Sequence, residues 1–282
     1  TTLFRSYIYL YKMQNNKIHV YYDLETNGLD YYTTGIMQIT ILDNNGEILL
    51  NEYVYPFDKR IDGTHIHKID INVLMANKAI ETVDMCTKIK QILRNKYGRK
   101  DVYFVAYNNF GYDQVILENN FKICDVKMPN NWFFIDLLPI VREIYQANKL
   151  SNYKLKTVYE FIFGKDGVID YHSSLDDTRC LYRIFKYIEG SNGGLISKYT
   201  RSLLSQIGIF SSPISSLNGY ANGMKFEENG LNNIGDLYED CVKMEFKREE
   251  IECYLQYGLG IYSKFYRDNM VKQIFVIRHL LN

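Results

Sequence analysis

From Ile18 onward the chain alternates short apolar runs with stripes of apolar residues at helical spacing. The segments "IHVYYDLE", "GIMQITILD" and "GEILLNEYVYP" are rich in β-branched and aromatic residues and read as strands. Asn44-Asn45-Gly46 between the last two is a hairpin signal, so the chain begins as a three-strand meander. In "AIETVDMCTKIKQILRNKYG", Ile80, Val83, Ile89, Ile92 and Leu93 fall on one helical face and Gly98 marks a C-cap. A strand "DVYFVAYN", a short helix from "YDQVILENN", a strand "WFFID" and a helix "LLPIVREIYQAN" follow. Two more helices are predicted near "KLKTVYEFIFG" and "LDDTRCLYRIFKYIEG". This order describes a mixed α/β sheet with helices packed on its faces.

The cluster "GSNGG" (190–194) has the composition of a flexible link and sets a domain boundary. Three parts are expected: an N-terminal extension (1–17), a main domain (18–190) and a smaller, mostly helical C-terminal domain (195–282) in which "LISKYTRSLLSQIGIF" and "REEIECYLQYGLGIYSKF" read as helices. The opening "TTLFRSYIYLYK", with Arg5 and Lys12 and no acid, reads as a flexible or tag-like extension ahead of Met13, with a weak organelle-targeting segment as the alternative.

Charge changes the picture by exclusion. Lys+Arg and Asp+Glu are 33 each, so the chain has no global attraction for nucleic acid or membranes, and a polyanion must be gripped locally. No apolar run reaches a bilayer span. Five scattered cysteines without C-x-x-C spacing argue against a disulfide framework or zinc site, and point to an intracellular, reducing compartment such as cytoplasm or nucleus.

The candidate chemistry is acidic. Asp23 and Glu25 alternate with Leu24 on a strand, so they share a face about 7 Å apart and can converge on a cation. Alone, such a pair is more often a solvated strand face. In "FVAYNNFGYDQVIL", Asp113 opens a helix, where helix capping explains it as well as metal binding does. In "YHSSLDDTRCLYRIF", His172 precedes a helix and Asp177 falls in its first turns, where a loop histidine and a favourable dipole charge are the plain alternatives.

In order and spacing, "DLETNGL", "AYNNFGYD" and "HSSLDD" resemble the signature of the DEDD-type 3′-to-5′ exonucleases, in the DnaQ-like branch where a histidine precedes the last aspartate. "MQITILDNNGEI" is similar to that family's second and third strands, "HIHKIDINVL" to its "HGI" segment and "FIDLLPIVR" to its "DT" segment, so the likeness runs from Ile18 to Glu189. Asn27, Tyr107, Leu137 and Ser174 depart from the usual residues, but no carboxylate is lost.

The resemblance implies a ribonuclease H-like mixed five-stranded sheet flanked by helices, and a two-metal hydrolase using Mg²⁺ or Mn²⁺. Asp23 would bridge both ions, Glu25 and Asp177 would complete one site, Asp113 would hold the second through water, and His172 would be the general base. Thr26, Asn27, Gly28, Leu29 and Asn108 would meet the terminal nucleotide. His65 and His67 are expected to hold their loop together. The expected substrate is single-stranded or 3′-end nucleic acid, DNA before RNA, releasing nucleoside 5′-monophosphates. An exoribonuclease and a silent nucleic-acid-binding module are the rivals. The C-terminal domain carries no recognised motif; "NGLNNIGDLYED" resembles helix-hairpin modules faintly, and either a protein partner or substrate positioning is expected of it.

Overall fold

A computed structural model describes residues 17–62, 64–145, 150–165, 173–214, 217, 226 and 228–282. The expected extension, apart from its last residue, lies outside them. The meander is present as β1 (Ile18–Thr26), β2 (Ile36–Leu42) and β3 (Ile48–Tyr55). Its hairpin closes on Asp43: one carboxylate oxygen accepts from the Asn45 and Glu47 N–H groups at 2.8 and 2.9 Å, and Lys96 Nζ donates to the other at 2.6 Å. These contacts hold the Asp43 carboxyl below its ordinary pKa.

Short helices α1 (Thr64–His67) and α2 (Ile71–Ala76) lead to β4 (Ile80–Glu81) and the long helix α3 (Thr82–Tyr97). Ile80, assigned from its spacing to the helix, instead pairs with Val54 in a two-residue edge strand, and Val83 is exposed. Then come β5 (Val102–Ala106), a 3₁₀ turn (Asn109–Gly111), α4 (Asp113–Ile123), β6 (Trp132–Asp136), α5 (Leu137–Ile144), α6 (Leu155–Phe163) and α7 (Ser174–Glu189).

The sheet has seven strands in the order β4-β3-β2-β1-β5-β6-β7 rather than five, because β4 and β7 (Thr200–Ser202) extend its two edges. β7 pairs antiparallel with β6. It lies beyond the Gly-rich cluster, and Gly193 and Gly194 open helix α8 (Gly193–Lys198) instead of forming a link. The backbone after Lys198 turns straight into β7, so the expected helix through "LISKYTRSLLSQIGIF" is broken there. Ile196, Tyr199 and Leu203 bury into the same core as the sheet.

A second core is built by α9 (Ile234–Lys243), α10 (Arg248–Cys253) and α11 (Lys264–Leu281). The run expected as one helix through "REEIECYLQYGLGIYSKF" opens into a π-helical turn at Tyr254–Gly258 and irregular backbone before α11. The second core shares Tyr31 with the first.

Alternation along β1 assigns its two faces. His19 and Tyr21 pack on α7 through Phe185 and Tyr182, with Tyr21–Tyr182 ring centroids 5.0 Å apart. Tyr22 faces the other way, toward Phe104 and Phe134, and Phe104 continues through Trp132 to Phe121 of α4. All seven residues of β2 are buried, as expected for a strand covered on both faces. β1 pairs with β2 along its second half, but β5 accompanies it only from Ile18 to Tyr21. The far end of β1 therefore has one open side, and the site forms in that notch.

Candidate active site

Asp23 and Glu25 follow Tyr21 on the α7 face of β1, and Asp177 enters from the first turn of α7. One carboxylate oxygen from each lies within 4.8 Å of the others. Ser174 sets this approach. It is fully buried where α7 meets the sheet, and its hydroxyl donates to Thr40 Oγ1 of β2 at 2.6 Å. A larger side chain there would lift α7, and Asp177 with it, off the strands.

Asp113 reaches the same region from the opposite face. As the first residue of α4, it brings its carboxylate into the notch where β5 has ended, and there it accepts the Leu24 backbone N–H together with its own. It is 5% exposed, and it occupies a pairing position that no strand fills. The acid thus seats α4 against β1 as well as adding its charge to the site.

The electrostatics bind the four acids into one group. Asp23 is pushed well above the ordinary carboxylate range, first by burial and then by Asp113, Asp177 and Glu25. Glu25 rises to about 8 through burial and the charges of Asp177 and Asp113. Asp113 also rises to about 8, with burial dominant over its backbone hydrogen bonds. Hard oxygen donors that repel one another in a partly dry setting fit a divalent cation of the Mg²⁺ or Mn²⁺ type.

The loop after β1 is held by Tyr112, which stands beside Asp113 in "AYNNFGYD" but was not among the sequence candidates. Its hydroxyl donates to the Gly28 carbonyl and lies 2.5 Å from Thr26 Oγ1. Asn27 is 2% exposed and its side chain is spent inside the loop, donating to Asp58 at 2.8 Å and the Arg60 carbonyl at 2.9 Å and accepting from Gly35 N–H at 2.7 Å. Its amide shapes the loop, which leaves little of it for a ligand. Leu29, by contrast, is 83% exposed.

Asn108 is exposed and left-handed at φ 62°, and Gly111 makes room for it, since a Cβ there would stand 2.6 Å from Asn108 Oδ1. Of the sequence candidates, the structure brings together Asp23, Glu25, Asp113 and Asp177, with Thr26 and Gly28 beside them through Tyr112. His172 lies outside the described residues. His67 does hold its loop, donating from Nε2 to the Asp62 carbonyl at 2.9 Å and accepting Ile69 N–H at Nδ1; the His65 side chain is outside the description.

Two further charged residues support the site. Asp136 caps α5 through Leu138 N–H and also accepts Phe110 N–H, both at 3.0 Å, and burial lifts its pKa to about 6. Arg201 of β7, 1% exposed, donates to Gln114 Oε1 at 2.6 Å, Gln273 Oε1 at 3.0 Å and the Phe110 carbonyl at 3.2 Å. It ties the start of α4 to α11. No motif announced it, because its partners come from elements joined only by the fold.

A seven-stranded mixed sheet with acids gathered at the open end of its central strand is the ribonuclease H-like architecture. The model of the RNase_T exonuclease family matches residues 20–185, more than half of the chain, and the chain belongs to that family. It is 29% identical over 178 residues to "Exonuclease DPD1, chloroplastic/mitochondrial" of Arabidopsis thaliana, an alignment covering 58% of this chain and 54% of that protein. The chain thus spans about half the length of this curated relative.

Among solved structures, E. coli exonuclease I in complex with a dA16 oligonucleotide superposes with a TM-score of 0.52 at 16% identity, over 64% of this chain and 42% of that one. Exonuclease I from Methylocaldum szegediense gives 0.51 at 14% identity, with the same coverages. At these identities the likeness is one of fold. No helix among the described residues is long and apolar enough to cross a membrane.

Proposed function

We propose that this exonuclease hydrolyses phosphodiester bonds from the 3′ end of single-stranded DNA, releasing nucleoside 5′-monophosphates, with divalent cations held by Asp23, Glu25, Asp113 and Asp177. The observation that carries the reading is the convergence of Asp23, Glu25 and Asp177 ligand atoms within 4.8 Å, with the Asp113 charge pushing the Asp23 and Glu25 pKa values further up. A bound Mg²⁺ or Mn²⁺ would neutralise the phosphate and activate water.

The chain's own residues do the rest. Burial and mutual repulsion raise the pKa of Asp23 and Glu25, so a divalent cation held there would take the place of the protons that those acids otherwise keep. Tyr112 fixes the Thr26–Gly28 backbone against the acids, which sets where a terminal nucleotide stops. The exposed Leu29 and Asn108 offer an apolar and an amide contact for that nucleotide. His172 is assigned as the base that takes the proton of the attacking water, the role the family pattern gives to this histidine.

Support for single-stranded DNA comes from the oligonucleotide complex of exonuclease I. We propose that residues 195–282 position substrate and α4, in preference to docking a protein partner, because Arg201 donates to Gln114 of α4 and to the Phe110 carbonyl, and Tyr31 of the loop after β1 packs against the second core. We propose an intracellular, reducing compartment for the chain; the Arabidopsis relative is named for chloroplast and mitochondrion.

Matched 5′-labelled DNA and RNA oligonucleotides with Mg²⁺ or Mn²⁺ test the proposal. Laddering from the 3′ end of DNA is expected; laddering on RNA alone reassigns the sugar, and no cleavage of either overturns the hydrolase. His172→Ala should abolish turnover yet keep metal affinity by isothermal titration, and loss of that affinity would remove its assignment as base.

A further inference from the structure

A cleft of 240 Å³ opens where the family-matched part of the chain meets α11. One wall is Tyr266, Asn269 and Gln273 of α11; the other is Asn108 and Arg142, with Tyr31 from the loop after β1. The Asn108–Gly111 turn that forms part of its lining lies one residue before Asp113 in the chain, which puts this end of the cleft on the segment that carries that acid.

Its chemistry is that of a grip on a single strand. Arg142 has no carboxylate partner among the described residues, and its guanidinium lies 5.8 Å from the Tyr153 ring. In a chain of zero net charge, such a cation is a local attraction for a phosphate. The Tyr31 hydroxyl donates to the Gly111 carbonyl at 2.6 Å, which fixes that ring at the cleft. Tyr31 and Tyr266 are stacking surfaces for a base. The Gln273 amide oxygen is taken by Arg201, which leaves its NH₂ as a donor, and Asn269 adds a second amide. Asp136 also lines the cleft, but its carboxylate accepts backbone N–H groups of Phe110 and Leu138, and these moderate its repulsion of a phosphate.

We propose that this cleft binds a nucleotide of the substrate strand upstream of the scissile bond, with Arg142 on its phosphate and the α11 side chains against its base. The assignment rests on the nuclease reading above, with a strand whose 3′ end sits at the acids leaving past the Asn108 turn. It gives α11, which lies outside the family-matched residues, a substrate contact.

The test is equilibrium binding of 5′-fluorescein oligothymidylates two to ten nucleotides long to the full chain, by anisotropy, with Ca²⁺ as the only divalent ion. Wild-type affinity should climb as the strand lengthens into the cleft. Arg142→Glu should flatten that climb and weaken binding of the longer strands about tenfold, and Asn269→Asp, at a second half-exposed position, should do the same by a smaller factor. Circular dichroism confirms that each variant is folded. If both variants follow the wild type at every length, or the wild type shows no climb, the cleft assignment falls. Cleavage by the wild type in that case keeps the nuclease reading; a wild type that neither binds nor ladders any strand removes both.

Discussion

Asp113 and Gln114 are neighbours in the first turn of α4, yet they stand in opposite electrostatic settings. Asp113 belongs with Asp23, Glu25 and Asp177, and the charges acting on Asp23 and Glu25 are all carboxylates. Gln114 belongs to a network in which every strong group is answered. It accepts from Arg201 and donates to Glu118 at 2.8 Å, and Glu118 in turn accepts Leu204 and Ser205 N–H at 2.8 and 3.0 Å. Burial lowers the Arg201 pKa only to about 10, with Glu118 and Asp136 acting the other way. The contrast separates buried charge that needs a ligand from buried charge that holds the fold. Unanswered repulsion is tolerated only where something else is to bind.

Removing a member of each group breaks the comparison most directly. Asp23→Asn should lower exonuclease turnover by about a thousandfold or more, because it removes the negative charge and one of the two oxygens on which the proposed metal site depends. Its metal-free melting temperature should stay level or rise, since the substitution relieves repulsion. A fall in stability comparable to the fall in turnover, measured by calorimetry beside a gel assay, would show that Asp23 is structural.

Arg201→Ala should do the reverse. Leaving Glu118 and the Phe110 carbonyl buried without their cation costs about 3–5 kcal/mol of stability. Since β7 and Tyr199 also belong to the main core, truncation after Gly194 should leave an insoluble product where a separable domain would leave a folded one. Denaturant unfolding of Arg201→Ala decides the point: a change under about 0.5 kcal/mol, the range of ordinary surface substitutions, would mean that the network is not what holds α4.

The same contrast explains which parts were legible in the sequence. The acids could be read because each sits at a fixed place in a local pattern, the end of a strand or the first turn of a helix, and the three patterns occur in a recognisable order. Strands β1, β2, β3, β5 and β6 were legible for the same reason: their apolar runs are local. β4 and β7 were not, being two and three residues long and made strands only by the partner they meet. "GSNGG" read as a linker because composition cannot tell a flexible link from a turn pinned by its downstream neighbours, here Tyr199 and Arg201 in the core. The Arg201 network lay beyond sequence reasoning altogether, since Gln114, Glu118 and Gln273 acquire meaning only when α4, β7 and α11 are brought together.

The smallest expected effect sharpens the comparison through pH. Glu25 has its folded-state pKa raised from the ordinary carboxylate range to about 8, so between roughly pH 4 and pH 8 the metal-free folded protein binds more protons than the unfolded chain. Stability must therefore fall as pH rises across that window. The penalty is absent below the unfolded pKa and complete above pH 8. Glu25→Gln removes the group that titrates, and should raise metal-free stability at pH 8 by about 1–2 kcal/mol while changing little at pH 4. Mg²⁺ or Mn²⁺ should stabilise the wild type more at pH 8 than at pH 5, because at the lower pH protons already occupy the acids. In Glu25→Gln that pH-dependent part of the metal effect should shrink. Arg201 and Glu118 predict the opposite outcome for their own region, since a network answered internally gains nothing from added cation. A metal-induced rise in melting temperature that is equal at the two pH values would detach the cation from Glu25 and reduce the acid group to a solvated strand end.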